Sequence, residues 1–418
     1  MGNTGPTGTR ATVTARDGGT FECYVARPTQ GSGPGIVLIQ EIFGINGFVR
    51  EMADLFADEG YVVYAPDLFW RIEPGIDLGY SPDEWQRAFG LFQTFDVDKG
   101  IDDIGATIDA LRSDPGQAGK VGCIGYCLGG KLAMLTAART DVDCAVSYYG
   151  VGLEAHVGEF GSIACPMQFH FAELDGFAPP EARDAVQAAF AGRDGATFHT
   201  YAGCDHAFAR TGGDHYNKPA ALMAHERTMQ IFRSVLGPIY DLESLWDQHT
   251  YHEFATRNVP DTMATMVAQP YVNHVPTMTG GVGAEQLSRF YKWHFVDANP
   301  EDTKLIPLSR TVGATSIVDE MLFCFTHTRE IDWMIPGIAP TGRYVEVPLV
   351  AIVKFRGAKL YHEHIYWDQA SVLVQIGALD RKGLPVAGIE TARKLVDEKL
   401  PSNTLMARWS SSEGKPVA

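Results

Sequence analysis

The sequence predicts a two-part protein, with a larger part of the α/β class followed by a smaller α+β part. Short apolar runs typical of buried strands alternate with helical patterns over the first half, which predicts a mostly parallel sheet with helices on both faces. Near Gly237-Pro238 this alternation stops, and such a pair predicts a boundary. We therefore expect one domain at 1–237 and a second at 238–418.

The elements of the first domain are predicted from their periodicity and residue types. Apolar runs indicate strands at 35–40, 61–66, 120–125, 144–149, 167–172 and 196–202. Amphipathic or Ala- and Leu-rich patterns indicate helices at 48–58, 97–113, 128–140, 180–191 and 216–236. The aromatic-rich stretch 71–90 shows no clear period and is predicted to be irregular. Trp70, Tyr80 and Trp85 are candidates for the wall of a pocket, and local packing is the alternative.

The second domain is predicted to begin with helices and continue with strands. The helices are expected at 242–257, 262–266 and 283–294, and the strands at 303–312, 315–329, 344–356 and 359–367. The run VEVPLVAIVKF at 345–355 alternates poorly, so it is expected to be buried on both faces. The polar tail 410–418 is expected to be disordered.

The run Gly125-Tyr126-Cys127-Leu128-Gly129 follows a predicted strand and precedes a predicted helix. This arrangement is typical of a G-x-S-x-G nucleophile elbow in which cysteine replaces serine. The sharp turn needs small residues on either side of the nucleophile. A thiol at the start of a helix lies near the positive end of its dipole, which favours the thiolate. Taken alone, the motif fits a buried structural cysteine followed by a glycine-rich turn better than it fits a nucleophile.

Two further residues complete a catalytic order. Asp175 follows the predicted strand 167–172, and His206 follows the predicted strand 196–202. The order nucleophile, acid, histidine is that of the α/β-hydrolases, and open α/β sheets build their sites at the carboxyl ends of strands. We therefore predict a Cys127–His206–Asp175 triad, in which the histidine is the base and the carboxylate orients it.

Composition excludes several functions. The net charge of −17 argues against nucleic acids and anionic membranes as partners. No apolar run is long enough to cross a bilayer, and residues 1–6 show no secretory signal. The seven cysteines are scattered, without a C-x-x-C pair, so no disulfide framework, metal or cofactor is predicted. A reducing, cytoplasmic location is expected, and it would keep Cys127 a free thiol.

Residues 10–237 resemble the dienelactone hydrolase (carboxymethylenebutenolidase) family. The resemblance is carried by QEIFG at 40–44, APDLFWR at 65–71, GYCLGG at 125–130, ELD at 173–175 and HAFAR at 206–210. It implies an α/β-hydrolase with a Cys-His-Asp triad that opens enol lactones. The expected substrate is thus a lactone or activated ester bearing a carboxylate, cleaved through a thioester.

The resemblance also implies roles for other residues. Glu41 would be the acid that pairs with the resting thiol, although a solvated loop charge is the alternative. Backbone N–H groups of Leu128 and Ile42 would form the oxyanion hole. Arg71 and Arg210, with Trp70 beside them, would bind the substrate carboxylate, because guanidinium forms paired hydrogen bonds to carboxylates; surface ion pairs are the alternative.

The second half resembles the SnoaL-like branch of the NTF2-like superfamily, a cone of curved sheet and helices around a cavity. The motifs are VPTMTGG at 275–281, THTR at 326–329, PTGR at 340–343 and EHIYWDQ at 363–369. Cavity candidates are His274, His327, Asp332, His364 and Asp368. They would form an acid/base site on a ketone, be satisfied core polar groups, or lie at an interface. The pair His362 and His364 on one strand face is a weak signal for a metal.

Three functions follow from these observations. The first is a cysteine-type carboxylic ester hydrolase. The second is a bifunctional enzyme whose second domain adds a cyclase or isomerase step. The third is a non-catalytic binding or dimerisation module, and a homodimer is expected because cone domains of this class often pair.

Overall fold

The computed structural model describes residues 8–417, and they divide into two compact units. One unit ends at Ile239 and the other begins at Tyr240. The expectation about a signal at 1–6 lies outside the described residues. Within 8–417, no helix has both the length and the apolar character that crossing a bilayer would need.

The first unit is built on an eight-stranded sheet in the order β1-β2-β4-β3-β5-β6-β7-β8. The strands are β1 Thr9–Thr14, β2 Thr20–Ala26, β3 Gly33–Ile39, β4 Val62–Pro66, β5 Gln117–Tyr126, β6 Cys144–Tyr148, β7 Met167–Ala172 and β8 Ala196–Tyr201. From β4 to β8 all neighbours are parallel, whereas β1 and β2 form an antiparallel hairpin at one edge. The mostly parallel sheet predicted from the alternating pattern is confirmed; the hairpin was not predicted.

Six α-helices accompany this sheet: α1 Gly47–Asp58, α2 Pro82–Thr94, α3 Val97–Arg112, α4 Leu128–Arg139, α5 Pro180–Ala189 and α6 Lys218–Val235. A 3₁₀ segment covers Leu153–Ser162. The prediction of an irregular stretch at 71–90 was wrong at α2. Ser81 and Glu84 form a capping box around Pro82, and this combination starts a helix even where the apolar period is weak.

A buried ion pair joins the end of α1 to α6. Glu59, the C-cap residue of α1, accepts a hydrogen bond from Arg233 on α6 at 2.7 Å, and both side chains are almost fully buried. Arg233 also donates to the hydroxyl of Tyr61 at 3.2 Å. Removing one partner of such a pair leaves an uncompensated buried charge.

The second unit contains a six-stranded sheet in the order β10-β9-β14-β13-β12-β11. Its strands are β9 Met266–His274, β10 Thr279–Val282, β11 Lys304–Val312, β12 Ser316–Thr326, β13 Tyr344–Arg356 and β14 Lys359–Trp367. All neighbours are antiparallel except β14 and β9. The α+β class predicted for this half is confirmed.

The helices of the second unit are α7 Leu242–Thr250, α8 Val259–Ala264, α9 Gly283–Phe290, α10 Gln369–Ile376 and α11 Glu390–Val396. Two π-helical turns extend α7 and α9, at Tyr251–Ala255 and Tyr291–Phe295. The helix predicted at 262–266 lies earlier, and strand β9 begins where it was expected to end. In the tail, Trp409–Ser412 forms an exposed 3₁₀ turn.

Strand β13 corrects one prediction. Its side chains alternate strictly between buried and half-buried positions from Val345 to Arg356, so the strand is not equally buried on both faces. The fully buried face, which includes Val347 and Val353, belongs to the main apolar core. The other face keeps Glu346 and Lys354 half-buried, because α10 and α11 cover it only in part.

We expect Arg233→Ala to lower the free energy of unfolding by about 3–5 kcal/mol, because the buried Glu59 would lose its guanidinium partner. Urea unfolding of the full chain measures this change. The matched control is Arg87→Ala, which removes an exposed pair with Glu73 and should change stability by about 0–1 kcal/mol. Equal effects of the two substitutions would contradict the assigned importance of burial.

Candidate active site

Cys127 sits at the sharp turn between β5 and α4. Its backbone has φ 57° and ψ −115°, a region that non-glycine residues rarely adopt and that marks local strain. The turn is held by the Cys127 N–H, which donates to the carbonyl of Tyr148 at 3.0 Å, and by the Gly130 N–H, which donates to the Cys127 carbonyl at 3.0 Å. The side chain is therefore held in a fixed position at the carboxyl edge of the sheet.

The glycines around Cys127 permit backbone contacts that no larger residue allows. A Cβ on Gly125 would lie 1.9 Å from the Gly129 carbonyl oxygen, and one on Gly129 would lie 2.4 Å from the carbonyl oxygen of Ile39. A Cβ on Gly130 would lie 2.7 Å from the Tyr148 carbonyl oxygen. The glycines of the motif are thus required by the close approach of α4 to β3, β5 and the end of β6.

His206 and Asp175 meet at the same edge of the sheet. Asp175 follows β7, His206 follows β8, and His206 Nδ1 lies 2.8 Å from Asp175 Oδ2. Both side chains are buried, and the other carboxylate oxygen of Asp175 accepts a hydrogen bond from the Phe177 N–H at 2.8 Å. The carboxylate therefore fixes the tautomer of the imidazole, with Nδ1 protonated.

On its other side, the His206 ring interacts electrostatically with Cys127. Burial by itself lowers the pKa of His206, but the electrostatic interaction with Cys127 and the hydrogen bond to Asp175 outweigh it and raise the pKa to about 10. The three predicted triad residues are thus brought into one chain of contacts, Asp175–His206–Cys127. Such a chain can carry charge at the sulfur and move a proton.

Glu41 and Arg210 form a buried ion pair beside this chain. Arg210 Nη1 lies 3.2 Å from Glu41 Oε2, and both side chains are more than nine-tenths buried. The guanidinium also packs over the rings of Tyr80, at 4.3 Å, and Phe43, at 5.4 Å. Among residues 8–417, its Nε has no hydrogen-bond partner, so the arginine retains a donor. Pairing of Glu41 with the thiol stays a prediction.

Arg71 and Trp70 lie in a different cluster. The Arg71 guanidinium donates to Asp103 at 2.7 Å and to Asp17 at 2.7 Å, and Trp70 Nε1 donates to Asp103 at 2.9 Å. A substrate carboxylate at Arg71 would have to displace two carboxylates of the protein. The structure therefore does not support the expected substrate-binding role of Arg71 and Trp70. The sequence alone could not reveal the two acidic partners.

The residues predicted for the oxyanion hole occupy the expected elements. Leu128 is the first residue of α4, so its N–H has no acceptor within the helix. Ile42 follows β3 and is buried. Their joint action on an oxyanion stays a prediction.

Tyr149 was missed by the sequence reasoning. It has φ 37°, its ring meets the edge of His206 at 5.1 Å between ring centroids, and its hydroxyl is buried without a hydrogen-bond partner among residues 8–417. Its position directly after β6 was the available signal, because polar groups at this edge tend to serve the site. Tyr80 and Trp85, named as pocket candidates, both pack against Phe43.

In the second unit, only His274 of the five candidates lines the internal cavity of about 40 Å³. Burial lowers the pKa of His274 to about 3, and its ring packs against Trp333 at 4.6 Å between centroids. His274 is thus held neutral in an aromatic core.

The other four candidates have structural partners elsewhere. Asp368 caps α10 by accepting from the Ser371 N–H, and Asp332 lies 2.6 Å from His294. His327 is buried beside Thr341, with Nδ1 3.1 Å from its hydroxyl. His364 stacks on His362 at 4.7 Å between ring centroids, on the sheet face opposite the buried Glu363, because side chains alternate along a strand.

The parallel sheet, the sharp turn at Cys127 and the buried His206–Asp175 pair are typical of the α/β-hydrolase fold, and they place the first unit in that class. Its sequence makes the assignment more specific. Residues 21–236 match the sequence profile of the dienelactone hydrolase family, and the chain belongs to that family.

Named relatives match the first unit. The carboxymethylenebutenolidase of Pseudomonas putida is 41% identical over 219 residues, covering 52% of this chain and 92% of the relative. Carboxymethylenebutenolidase 1 of Cupriavidus pinatubonensis is 37% identical over 227 residues, covering 54% of this chain and 97% of the relative. A solved structure, the dienelactone hydrolase-like promiscuous phosphotriesterase P91 from metagenomic libraries, is 22% identical, with a TM-score of 0.48 and coverage of 55% and 99%.

We expect His206 to stay protonated through pH 8 and to lose its proton near pH 10. The folded pKa of about 10 exceeds the unfolded value of about 6.5, so the folded protein binds one more proton between these values. The stability that this proton contributes is complete below about pH 6.5 and is lost as the pH rises toward 10. NMR of ¹⁵N-labelled histidine measures the titration directly.

The control for this titration is Cys127→Ala, which removes the largest cause that raises the pKa. In that variant the His206 resonance should titrate at a lower pH. An unchanged midpoint would show that the sulfur does not interact with the imidazole.

Proposed function

We propose that the first unit opens a dienelactone-type lactone with Cys127 as the nucleophile. The observation that carries this proposal is the buried chain Asp175–His206–Cys127 at a strained strand-to-helix turn. The proteins of Pseudomonas putida and Cupriavidus pinatubonensis, named carboxymethylenebutenolidases, support the substrate class. A reducing compartment such as the cytoplasm would suit a free nucleophilic thiol.

The proposed reaction has two halves. The Cys127 thiolate attacks the lactone carbonyl, and the N–H groups of Leu128 and Ile42 hold the oxyanion. The ring carbon–oxygen bond breaks, the leaving enolate takes a proton from His206, and a thioester remains. A water then gives its proton to His206 while its oxygen attacks the thioester, which releases the acid and returns the sulfur as thiolate beside protonated His206.

Arg210 is the residue we propose for the substrate carboxylate. Its guanidinium is buried near the triad, is walled by Tyr80 and Phe43, and retains an unused Nε donor. An anionic substrate that pairs with Arg210 would release Glu41 from it. Glu41 could then approach the thiol, so substrate binding and the state of the nucleophile would be coupled.

For the second unit we propose an NTF2-like cone of the SnoaL type, with the domain boundary near residue 238. The support is the mostly antiparallel strand order, the parallel pairing of β14 with β9 and the small cavity. The cavity volume of about 40 Å³ is small for a polyketide-like substrate, since ligand pockets span roughly 300–1,000 Å³. This favours a binding or dimerising role over the bifunctional alternative.

We expect Cys127→Ala to lower kcat/KM for a carboxylate-bearing enol lactone by about 10³-fold or more. The variant lacks the nucleophilic sulfur, and the other triad residues cannot replace it. Steady-state hydrolysis assays measure the loss. Thermal unfolding should stay close to that of the wild type. Retained turnover in this variant would disprove the cysteine mechanism.

A second prediction concerns Arg210. Arg210→Gln should raise KM for the anionic lactone by about tenfold or more, because a charge-assisted contact is lost, and this loss should clearly exceed any change in the hydrolysis of a neutral aryl ester. Arg71→Gln is the matched control and should affect neither substrate. Equal losses for both substrates, or a selective loss in Arg71→Gln, would contradict the assignment to Arg210.

A further inference from the structure

Three buried side chains of the second unit converge on one point. His249 belongs to α7, Glu253 to the π turn that follows it, and Glu363 to β14. His249 Nε2 lies 3.2 Å from Glu253 Oε1 and 3.3 Å from Glu363 Oε1. The hydroxyl of Tyr291 lies 3.5 Å from the same nitrogen. One imidazole nitrogen therefore faces two carboxylate oxygens, all within 4.8 Å of one another.

A hydrogen bond at Nδ1, on the side of the ring away from the carboxylates, orients the imidazole of His249. The Thr265 hydroxyl donates its proton to the Thr262 carbonyl at 2.6 Å, so it accepts from His249 Nδ1–H, also at 2.6 Å. This contact fixes Nδ1 as the protonated nitrogen and directs Nε2 at the carboxylates. Metal-binding histidines are held in this way, with the nitrogen that does not bind the metal donating to an oxygen acceptor.

The distances do not match hydrogen bonds from a charged imidazole. Such bonds to carboxylates are about 2.7–2.9 Å long, shorter than both Nε2–Oε1 separations here. Glu363 Oε1 is buried and has no hydrogen-bond partner within residues 8–417. For a cation about 2.0–2.2 Å from each atom, these two pairs would subtend angles of about 93–111°, which is the range from octahedral to tetrahedral geometry.

The surroundings have room for an ion but not for an organic substrate. Glu253 and Glu363 line the cavity of about 40 Å³, whose other walls include Trp246, Phe254 and Trp333. A water needs roughly 10–15 Å³ of such space, so an ion with one or two waters fits. A divalent cation would compensate two ionised carboxylates in these apolar surroundings, which one imidazole could do only by half.

The backbone around the cavity is also unusual. Glu253 and Tyr291 both lie on the π-helical turns that extend α7 and α9. π turns are rare and occur frequently at functional sites, because the extra residue re-aims side chains. Here they belong to two different helices and contribute polar groups to the same point.

We propose that His249, Glu253 and Glu363 bind a divalent first-row metal ion such as Zn²⁺ or Mn²⁺, with Tyr291 and water beside it. Imidazole nitrogen with carboxylate oxygens suits both ions. The site revises the sequence-based expectation that the protein holds no metal, and it involves Glu363 rather than the neighbouring His362 and His364. It is independent of the chemistry proposed for Cys127.

The test is metal binding by the full chain after dialysis against EDTA. Isothermal titration with MnCl₂ and with ZnCl₂ should each give one equivalent in the wild type and in Cys127→Ala, because thiol chemistry is not involved. Glu363→Gln and Glu253→Gln should each weaken binding by about tenfold or more, and each ion should raise the unfolding temperature of the wild type more than that of either variant.

The matched control is His362→Gln combined with His364→Gln, which removes the histidines on the opposite sheet face and should bind like the wild type. The proposal is overturned if the wild type binds neither ion, if both glutamine variants bind as tightly as the wild type, or if only the histidine control loses binding. Both glutamine substitutions keep the shape of the side chain and remove a buried charge; if one variant fails to fold, the other decides the outcome.

Discussion

The geometry of the first unit depends on how closely α4 approaches the strands beneath it. Gly125, Gly129 and Gly130 let backbone atoms meet where a methyl group would collide with a carbonyl oxygen. This approach forces Cys127 into its strained backbone conformation. Because β5 lies at the middle of the sheet, the strain is held by structure on both sides. The loops after β7 and β8 then need only reach one fixed sulfur.

Parallel strands explain why residues far apart in sequence share one site. Five residues of the site lie within five positions after the end of a strand, and the carboxyl ends of those strands lie along the same edge. They are Glu41, Cys127, Tyr149, Asp175 and His206. The burial of these groups then sets their electrostatics. Cys127 and Asp175 raise the pKa of His206, and Arg210 is held between a carboxylate and two aromatic rings.

Much of this fold could be predicted from the sequence, because strand runs, helix periods and the elbow motif are local signals. The order Cys127, Asp175, His206 added a long-range constraint that the strand ends satisfy. What escaped prediction depends on distant partners. Asp17 and Asp103 accept the hydrogen bonds of Arg71, and no sequence pattern near Arg71 predicts these partners. Likewise Glu253 and Glu363 are 110 positions apart, and only the π turn after α7 and the register of β14 bring them together.

The hairpin β1–β2 has a consequence for the behaviour of shortened chains. Strand β2 pairs with β4 along the edge of the parallel sheet, and Asp17 in the hairpin turn is bound to Arg71. A chain that lacked residues 1–30 would leave the backbone donors and acceptors of β4 uncovered. Open edges of this kind recruit strands from other molecules. The hairpin therefore protects the edge of β4 from pairing with other molecules, although it carries none of the residues proposed for catalysis.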